Sequence, residues 1–212
     1  MIVLALDTCL AACSVALVDD GRPLAAGSQA MARGHQERLA PLVKELMGEA
    51  GVDFAAIGMI AVTVGPGSFT GLRVGLAFAK GLALALRRPC VGVGTLEAVA
   101  ASAPHKGFCA AVIDAGRGWV YIQAFAGTRP LAAPQILPLE QARAHILGLS
   151  GDGECLLAGP GAGLFEATIP RARSAGVAAP SPETVARLAL SAAALPPSPL
   201  YLRAPDARPK SR

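Results

Sequence analysis

The chain has 212 residues with a formal net charge of +4; 53% of them are hydrophobic, 16% charged and 4% aromatic. That length holds one large domain or two small ones, and the shortage of Phe, Tyr and Trp argues against an aromatic platform for RNA. The basic residues are scattered and densest in the tail, at Arg203, Arg208, Lys210 and Arg212, which reads as a solvated tail rather than a nucleic-acid patch.

A membrane span takes roughly 18 or more consecutive apolar residues. The best stretch, Leu72 to Leu86, is shorter and carries Arg73 and Lys80. Met1 leads straight into Ile2-Val3-Leu4-Ala5-Leu6-Asp7 with no basic n-region, so no signal peptide is expected. The protein is placed in the cytoplasm, away from membranes. The five cysteines, Cys9, Cys13, Cys90, Cys109 and Cys155, include no C-x-x-C pair. All but Cys9 lie in apolar, strand-like runs and read as buried small hydrophobes, with neither a zinc site nor a disulfide framework expected.

In chain order, Ile2–Leu6 is a buried strand ending in Asp7-Thr8, Cys13–Val18 alternates as a second, and Asp19-Asp20-Gly21 turns into a third at Pro23–Ser28. From His35 to Ala50, Leu39, Leu42, Val43, Leu46 and Met47 recur at helical spacing until Gly51. A strand at Met59–Val64, a Gly-led helix to Leu86, a strand at Cys90–Val93 and a helix from Thr95 to Ala101 follow. Thr95 stands as the N-cap candidate of that last helix. Pro104-His105-Lys106-Gly107 reads as a hinge. Beyond it the opening pattern returns: Phe108–Ala115 is a strand ending in an acid, and Trp119–Phe125 alternates. An offset of 107 places Leu6-Asp7 on Ile113-Asp114 and Cys13, Val15 and Leu17 on Val120, Ile122 and Ala124. Then come a helix around Leu139–Leu147, a strand at Glu154–Ala158 and a helix from Pro182 to Ala194 capped by Ser181. The Pro-rich tail, 196–212, is expected to fray. This organisation predicts a duplicated α/β protein: one lobe over 1–103, a smaller one over 104–180, and a helix at 181–195 packing back on the first.

Gly65-Pro66-Gly67-Ser68-Phe69-Thr70-Gly71-Leu72-Arg73 joins a strand to a helix, where phosphate is often held. It lacks the Lys of a P-loop, puts Thr70 where G-x-G-x-x-G needs a third Gly, and does not fit the G-x-S-x-G elbow. More telling is its period: Gly67, Gly71, Gly75, Ala79 and Ala83 form a stripe of small residues. Each helical Gly costs roughly 1 kcal/mol against Ala, so close packing must compensate. The stripe suits packing within the subunit and a helix–helix subunit interface equally. Asp7 and Asp114, at strand ends, fit a phosphotransferase cleft, where acids hold a metal or orient a water, or two capped turns. His35 has Leu39, not a second His, at i+4, so no metal pair is expected and a cap or surface position is the simpler reading. His105 and His145 have no second ligand nearby in sequence.

Leu4-Ala5-Leu6-Asp7-Thr8, Cys13–Leu17, His35-Gln36-Glu37-Arg38-Leu39, Gly65–Arg73, Gly92–Ala98, Asp114-Ala115-Gly116-Arg117, Gly159-Pro160-Gly161-Ala162 and Tyr201-Leu202-Arg203 together resemble the TsaB (YeaZ) family of tRNA threonylcarbamoyladenosine biosynthesis proteins. The likeness runs along nearly the whole chain and is loosest over 127–150. It implies an actin-like (ASKHA) α/β fold of two ribonuclease-H-like lobes, mixed sheets flanked by helices. It also implies a non-catalytic subunit that activates the paralogue TsaD, which transfers threonylcarbamoyl to the adenosine beside the anticodon of ANN-decoding tRNAs. TsaD carries a histidine pair for metal on its first helix, and Leu39 here breaks that pair. The resemblance further implies a TsaE-like ATPase as third partner, tRNA contact only through the complex, and a homodimer in isolation.

The first two helices would form the dimer and TsaD face, with His35, Arg38, Leu39, Leu42, Leu46, Ser68, Gly71, Leu72, Gly75, Leu76 and Ala79 as interface candidates. On that reading Gly75→Leu should abolish TsaD binding and leave the fold intact. No cofactor is expected beyond ATP or ADP held weakly or at an interface. The alternative is an actin-like ATPase or phosphotransferase using a nucleotide cleft of Asp7, Thr8, Asp114 and Arg117. A peptidase finds neither a metal pair nor a triad.

Overall fold

β1 (Ile2–Asp7), β2 (Ala12–Asp19) and β3 (Arg22–Ala30) form an antiparallel meander, followed by α1 (His35–Ala50), β4 (Ile57–Thr63), α2 (Phe69–Leu86), β5 (Cys90–Val93) and α3 (Thr95–Ser102). The second half holds β6 (Phe108–Gly116), β7 (Trp119–Ala126), β8 (Arg129–Pro130), β9 (Gln135–Pro138), α4 (Leu139–Ser150), β10 (Cys155–Ala158), β11 (Ala172–Ser174) and α5 (Pro182–Ala189). This computed structural model describes residues 1–191 and 194–203.

The first sheet runs β3-β2-β1-β4-β5 and the second β8-β7-β6-β10-β11, with β9 also on β7. In each, an antiparallel meander is extended by two parallel strands. This is the ribonuclease-H-like order used twice, the actin-like α/β arrangement. Both faces of each sheet are covered, which is why β1 and β6 read as unbroken apolar runs rather than alternating ones. On the outer face of the first sheet, Leu4, Leu6, Val15 and Leu17 meet Leu39, Leu42 and Leu46 of α1 and Leu72 and Leu76 of α2. On its inner face Val3, Ala5, Ala16 and Val18 meet Val185, Ala186 and Ala189 of α5. Leu96 and Val99 of α3 pack on Cys109, Ala111, Ile113 and Phe125, and α4 closes the far face through Ala142 and Ile146. The layers therefore run α1/α2, sheet, α3/α5, sheet, α4.

Two helix signals, Gly51 and Ser181, act where the sequence places them, and a third, Thr95, does not. α1 ends at Gly51, whose φ of 62° is the left-handed closure glycine permits. Ser68 and Ser181 cap α2 and α5 by accepting the N–H of Gly71 and Thr184. Thr95 does not cap α3: Gly94 holds that position, and the Thr95 hydroxyl instead accepts the Gly65 N–H at 3.1 Å. α5 ends at Ala189 rather than Ala194, and residues 192 and 193 lie outside the described residues. So do 204–212, with the basic cluster Arg208, Lys210 and Arg212. The start of the tail is tied down where fraying is expected: Leu195 exchanges two main-chain bonds with Gly92, and the Leu200 N–H donates to Val64 O at 2.7 Å. The cysteines are all free thiols; Cys90 is half-buried and the others are buried. α2, at 18 residues and a mean hydropathy of 1.4, has the length and apolarity of a membrane span, but its glycine face is docked on the protein's own β1–β2 turn.

Candidate functional site

The turn after β1 is where the glycines of α2 are consumed. A Cβ on Gly67 would collide with Cys9 O and one on Gly71 with Thr8 O, while at Gly75 it would stand 2.5 Å from Thr8 Oγ1. The contacts are stitched by hydrogen bonds: Thr8 Oγ1 donates to Gly71 O (2.7 Å), and Ser68 N–H donates to Cys9 O (2.7 Å). The stripe is therefore a seat for α2 on its own sheet. Of the two readings open from the sequence, packing within the subunit describes Gly67, Gly71, Gly75, Ala79 and Ala83.

Asp7 is wholly buried under this seat. Its Oδ1 accepts Thr63 Oγ1–H at 2.6 Å and Cys9 N–H at 3.2 Å, and its Oδ2 has no hydrogen-bond partner among the described residues. Burial pushes the carboxyl up to about 6, against the downward pull of the Thr63 and Cys9 bonds and of nearby His35. Burial also holds the adjacent Cys9 thiol up at about 12, far from a reactive thiolate. Asp7 and Thr8 thus face inward, and the nucleotide cleft anticipated from them does not present either. His35 is neither a cap nor a surface residue: it is buried, and its Nε2–H donates to Leu10 O at 3.2 Å. Among the described residues no group of three or more His, Cys, Asp and Glu side chains is placed to share a metal ion.

A cleft of about 370 Å³ does open between the lobes, lined by Cys9, Leu10, His35, Ser68, Asp114 and Tyr121 among others. Asp114 is exposed there and its Oδ1 accepts the Gly116 N–H at 2.7 Å, an Asx turn. Arg117, with φ 56°, is exposed on the β6–β7 turn and does not line the cleft. The strand registers correct the repeat. Val15 pairs Leu6 and Ser14 pairs Asp7; their counterparts at an offset of 107, Ile122 and Tyr121, pair Val112 and Ile113. The counterpart of Asp7 is therefore Ile113, and Asp114 stands in the place of Thr8. The offset of 107 holds for β2 and β7, whereas β6 follows β1 at 106. Two symmetry-related acids do not face each other across this cleft.

The interface candidates divide by face. His35, Leu39, Leu42, Leu46, Gly71, Leu72, Gly75, Leu76 and Ala79 are buried within the chain, so they hold α1 and α2 to the first sheet and cannot themselves meet a partner. Ser68 is exposed but caps α2. Arg38 is half-buried, forked onto Glu45 at 2.7 and 2.8 Å and bonded to Gln29. The outward side of α2 carries Arg73, Ala77, Lys80, Gly81, Leu84 and Ala85, with Leu84 81% exposed. An added feature lies at the head of α2. The Arg73 guanidinium sits 3.7 Å over the Phe69 ring, Arg73 Nε–H donates to Tyr201 Oη at 3.2 Å, and the two aromatic rings are 5.4 Å apart. Phe69 and Arg73 are neighbours at i and i+4 on α2, but nothing in the local sequence signals that Tyr201, 128 residues from Arg73, completes the cluster.

Residues 28–142 match the family model described as TsaD: tRNA N6-adenosine threonylcarbamoyltransferase. YeaZ from Pseudomonas aeruginosa superposes with a TM-score of 0.80 at 31% identity, covering 95% of this chain and 99% of that one. The chain belongs to the TsaB (YeaZ) family. The TsaB of Escherichia coli strain K12, a tRNA threonylcarbamoyladenosine biosynthesis protein, is 41% identical over 124 residues, which are 57% of this chain and 53% of that protein. The chain thus spans about half the length of that curated relative. EutJ from Carboxydothermus hydrogenoformans, at 13% identity and a TM-score of 0.52 over 87% of this chain, shares the fold alone.

Proposed function

We propose that this TsaB-family chain is a scaffold and activator in tRNA threonylcarbamoyladenosine synthesis, seating a TsaD-like catalytic subunit on the outward face of α1 and α2. The observation that carries the reading is Leu84, a large apolar side chain 81% exposed on a helix whose other face is locked to its own sheet. Around it Ala77, Gly81 and Ala85 are small and exposed, and Phe78 and Leu82 are half-buried. A Cβ at Gly81 would meet open space, so no packing among the described residues explains that glycine. Small residues around an exposed leucine are what a second helix needs for close approach.

The same face would close a homodimer in isolation, in competition with the catalytic subunit. A TsaE-like ATPase would join the assembled pair, and tRNA would be contacted through the complex in the cytoplasm. Wild-type chain and a Leu84→Lys variant, which suits the helix C-terminus electrostatically, would be mixed with the TsaD-like protein and resolved by size-exclusion chromatography. They would then be assayed with TsaE, a threonylcarbamoyl adenylate source and tRNA. The variant should keep the wild-type melting temperature and lose both complex and tRNA modification. Unchanged complex formation would remove α2 from the interface, and modification without the chain would remove the activator role.

A further inference from the structure

Between α3, α5 and the turn after β7 lies a second cavity, of about 200 Å³, distinct from the interlobe cleft and from the α1–α2 face. Its floor is apolar, with Phe125, Ala100 and Ala103 buried and Leu188 half-buried. Around that floor stand Glu97, His105 and Arg187. His105 is engaged with the main chain, its ring nitrogens 2.8 Å from Ala103 O and 3.0 Å from Gly127 O.

Glu97 and Arg187 are not so engaged. Glu97 is half-buried, yet among the described residues its carboxylate has neither an ion pair nor a side-chain hydrogen bond, and burial raises its pKa. A carboxylate withdrawn from water without a cation is an incomplete arrangement. Arg187, exposed at the mouth, bonds Thr184 Oγ1 through Nη2 at 2.7 Å. A guanidinium has five N–H donors, so most of its capacity stays open to a ligand. An acid and a base thus line one small cavity without pairing to each other.

Size narrows the ligand. Pockets for drug-sized molecules run from about 300 to 1,000 Å³, which leaves this cavity too small for a nucleotide. A water takes about 30 Å³ of liquid, so the space exceeds that of a lone ion. What fits carries a cation for Glu97, an anion for Arg187 and little apolar bulk for the floor.

We propose that this cavity binds a free α-amino acid, with its ammonium group on the Glu97 carboxylate and its carboxylate on the Arg187 guanidinium. The ligand would tie α3 and α5 to the second lobe's β7, since Phe125 forms the floor.

The test is calorimetric titration of the full chain with glycine, alanine, serine, threonine and leucine, each also as the N-acetyl and methyl-ester derivative. At least one free amino acid should bind saturably at one site per chain. Each capped derivative should bind at least about tenfold more weakly, the scale of a lost charge-assisted contact. Glu97→Gln should weaken the free amino acid by a similar factor and leave the already weak N-acetyl form unchanged; Arg187→Gln should do the same for the ester. The proposal is overturned if no free amino acid binds up to about 10 mM, a concentration at which even weak complexes form. It is equally overturned if the capped forms bind as well, or if both variants bind like wild type. Should a variant melt early, the capped forms on the unaltered chain decide.

Discussion

Replacing glycine by alanine at two positions of α2 should shift stability in opposite directions. At Gly81 an added Cβ meets nothing within 4 Å among the described residues, so Gly81→Ala should gain the helix preference of Ala over Gly, about 0.5–1 kcal/mol. At Gly71 the same methyl group runs into the carbonyl oxygen of Thr8, which is main chain and cannot swing aside. Relief requires α2 to lift from the turn, breaking the bond from Thr8 Oγ1 to Gly71 O. Overpacking costs roughly 1–3 kcal/mol and the lost hydrogen bond about 1 kcal/mol. The propensity gain offsets less than 1 kcal/mol of this in a first turn, leaving a net loss of about 2–3 kcal/mol. At about 2–4 °C per kcal/mol for a chain of this size, Gly71→Ala should melt roughly 5–10 °C lower and Gly81→Ala roughly 1–4 °C higher. Differential scanning calorimetry and urea melts of the two variants would measure this. A Gly71→Ala protein as stable as wild type would refute the seat. By the same geometry Gly75→Leu, which the sequence suggests as a clean probe of partner binding, should damage the fold first.

The buried acid gives a pH signature. The Asp7 carboxyl is raised from its ordinary 3.8 to about 6, so the folded state binds this proton more tightly than the unfolded one. Stability from this group is complete below about pH 3.8 and is lost as pH rises to about 6. The loss is on the order of 3 kcal/mol, and Asp7→Asn should flatten that slope in urea melts across the window. Truncation before Leu195 removes three main-chain bonds to Gly92 and Val64, of 2.7–2.8 Å. At about 1 kcal/mol each it should destabilise by about 3 kcal/mol and expose the Gly92 amide to rapid hydrogen exchange; undiminished protection would show the strap to be dispensable. Arg73→Ala removes an exposed cation–π contact and should cost no more than about 1 kcal/mol in the same melts.

Periodicity carried the larger elements. α1 is legible to the residue because its apolar spacing is uninterrupted and Gly51 supplies a left-handed stop. β8 and β11 span only two and three residues, and β9 holds just Ile136 and Leu137 between Gln135 and Pro138, so none offers the unbroken apolar run that makes the four-residue β5 and β10 legible. The strand repeat was visible, but its register was not. Matching acid to acid aligned Asp7 with Asp114, whereas hydrogen bonding places Ile113 opposite Tyr121, as Asp7 is opposite Ser14. A single-residue offset between the strands of a hairpin changes no composition, yet it moves a side chain to the other face. The glycine period was equally plain and equally ambiguous, because the carbonyl oxygens that collide with an added Cβ belong to Thr8 and Cys9, some sixty residues away.

α2 therefore has two sides with separable duties. The four-residue spacing from Gly67 to Ala83 puts every close approach on one side, where glycine allows the helix to lie against the turn that buries Asp7. The residues left over, among them Gly81 and Leu84, are fixed in orientation by that seat without contributing to it. A rigid, outward-facing apolar strip demands little ordering of a partner on docking, since its side chains already stand on a held helix. Substitutions at Gly71 or Gly75 should move melting temperature and partner binding together, whereas substitutions at Leu84 should move binding alone. A Leu84→Lys chain that melted several degrees early would mean that the two sides are coupled, and that the outward strip belongs to the fold.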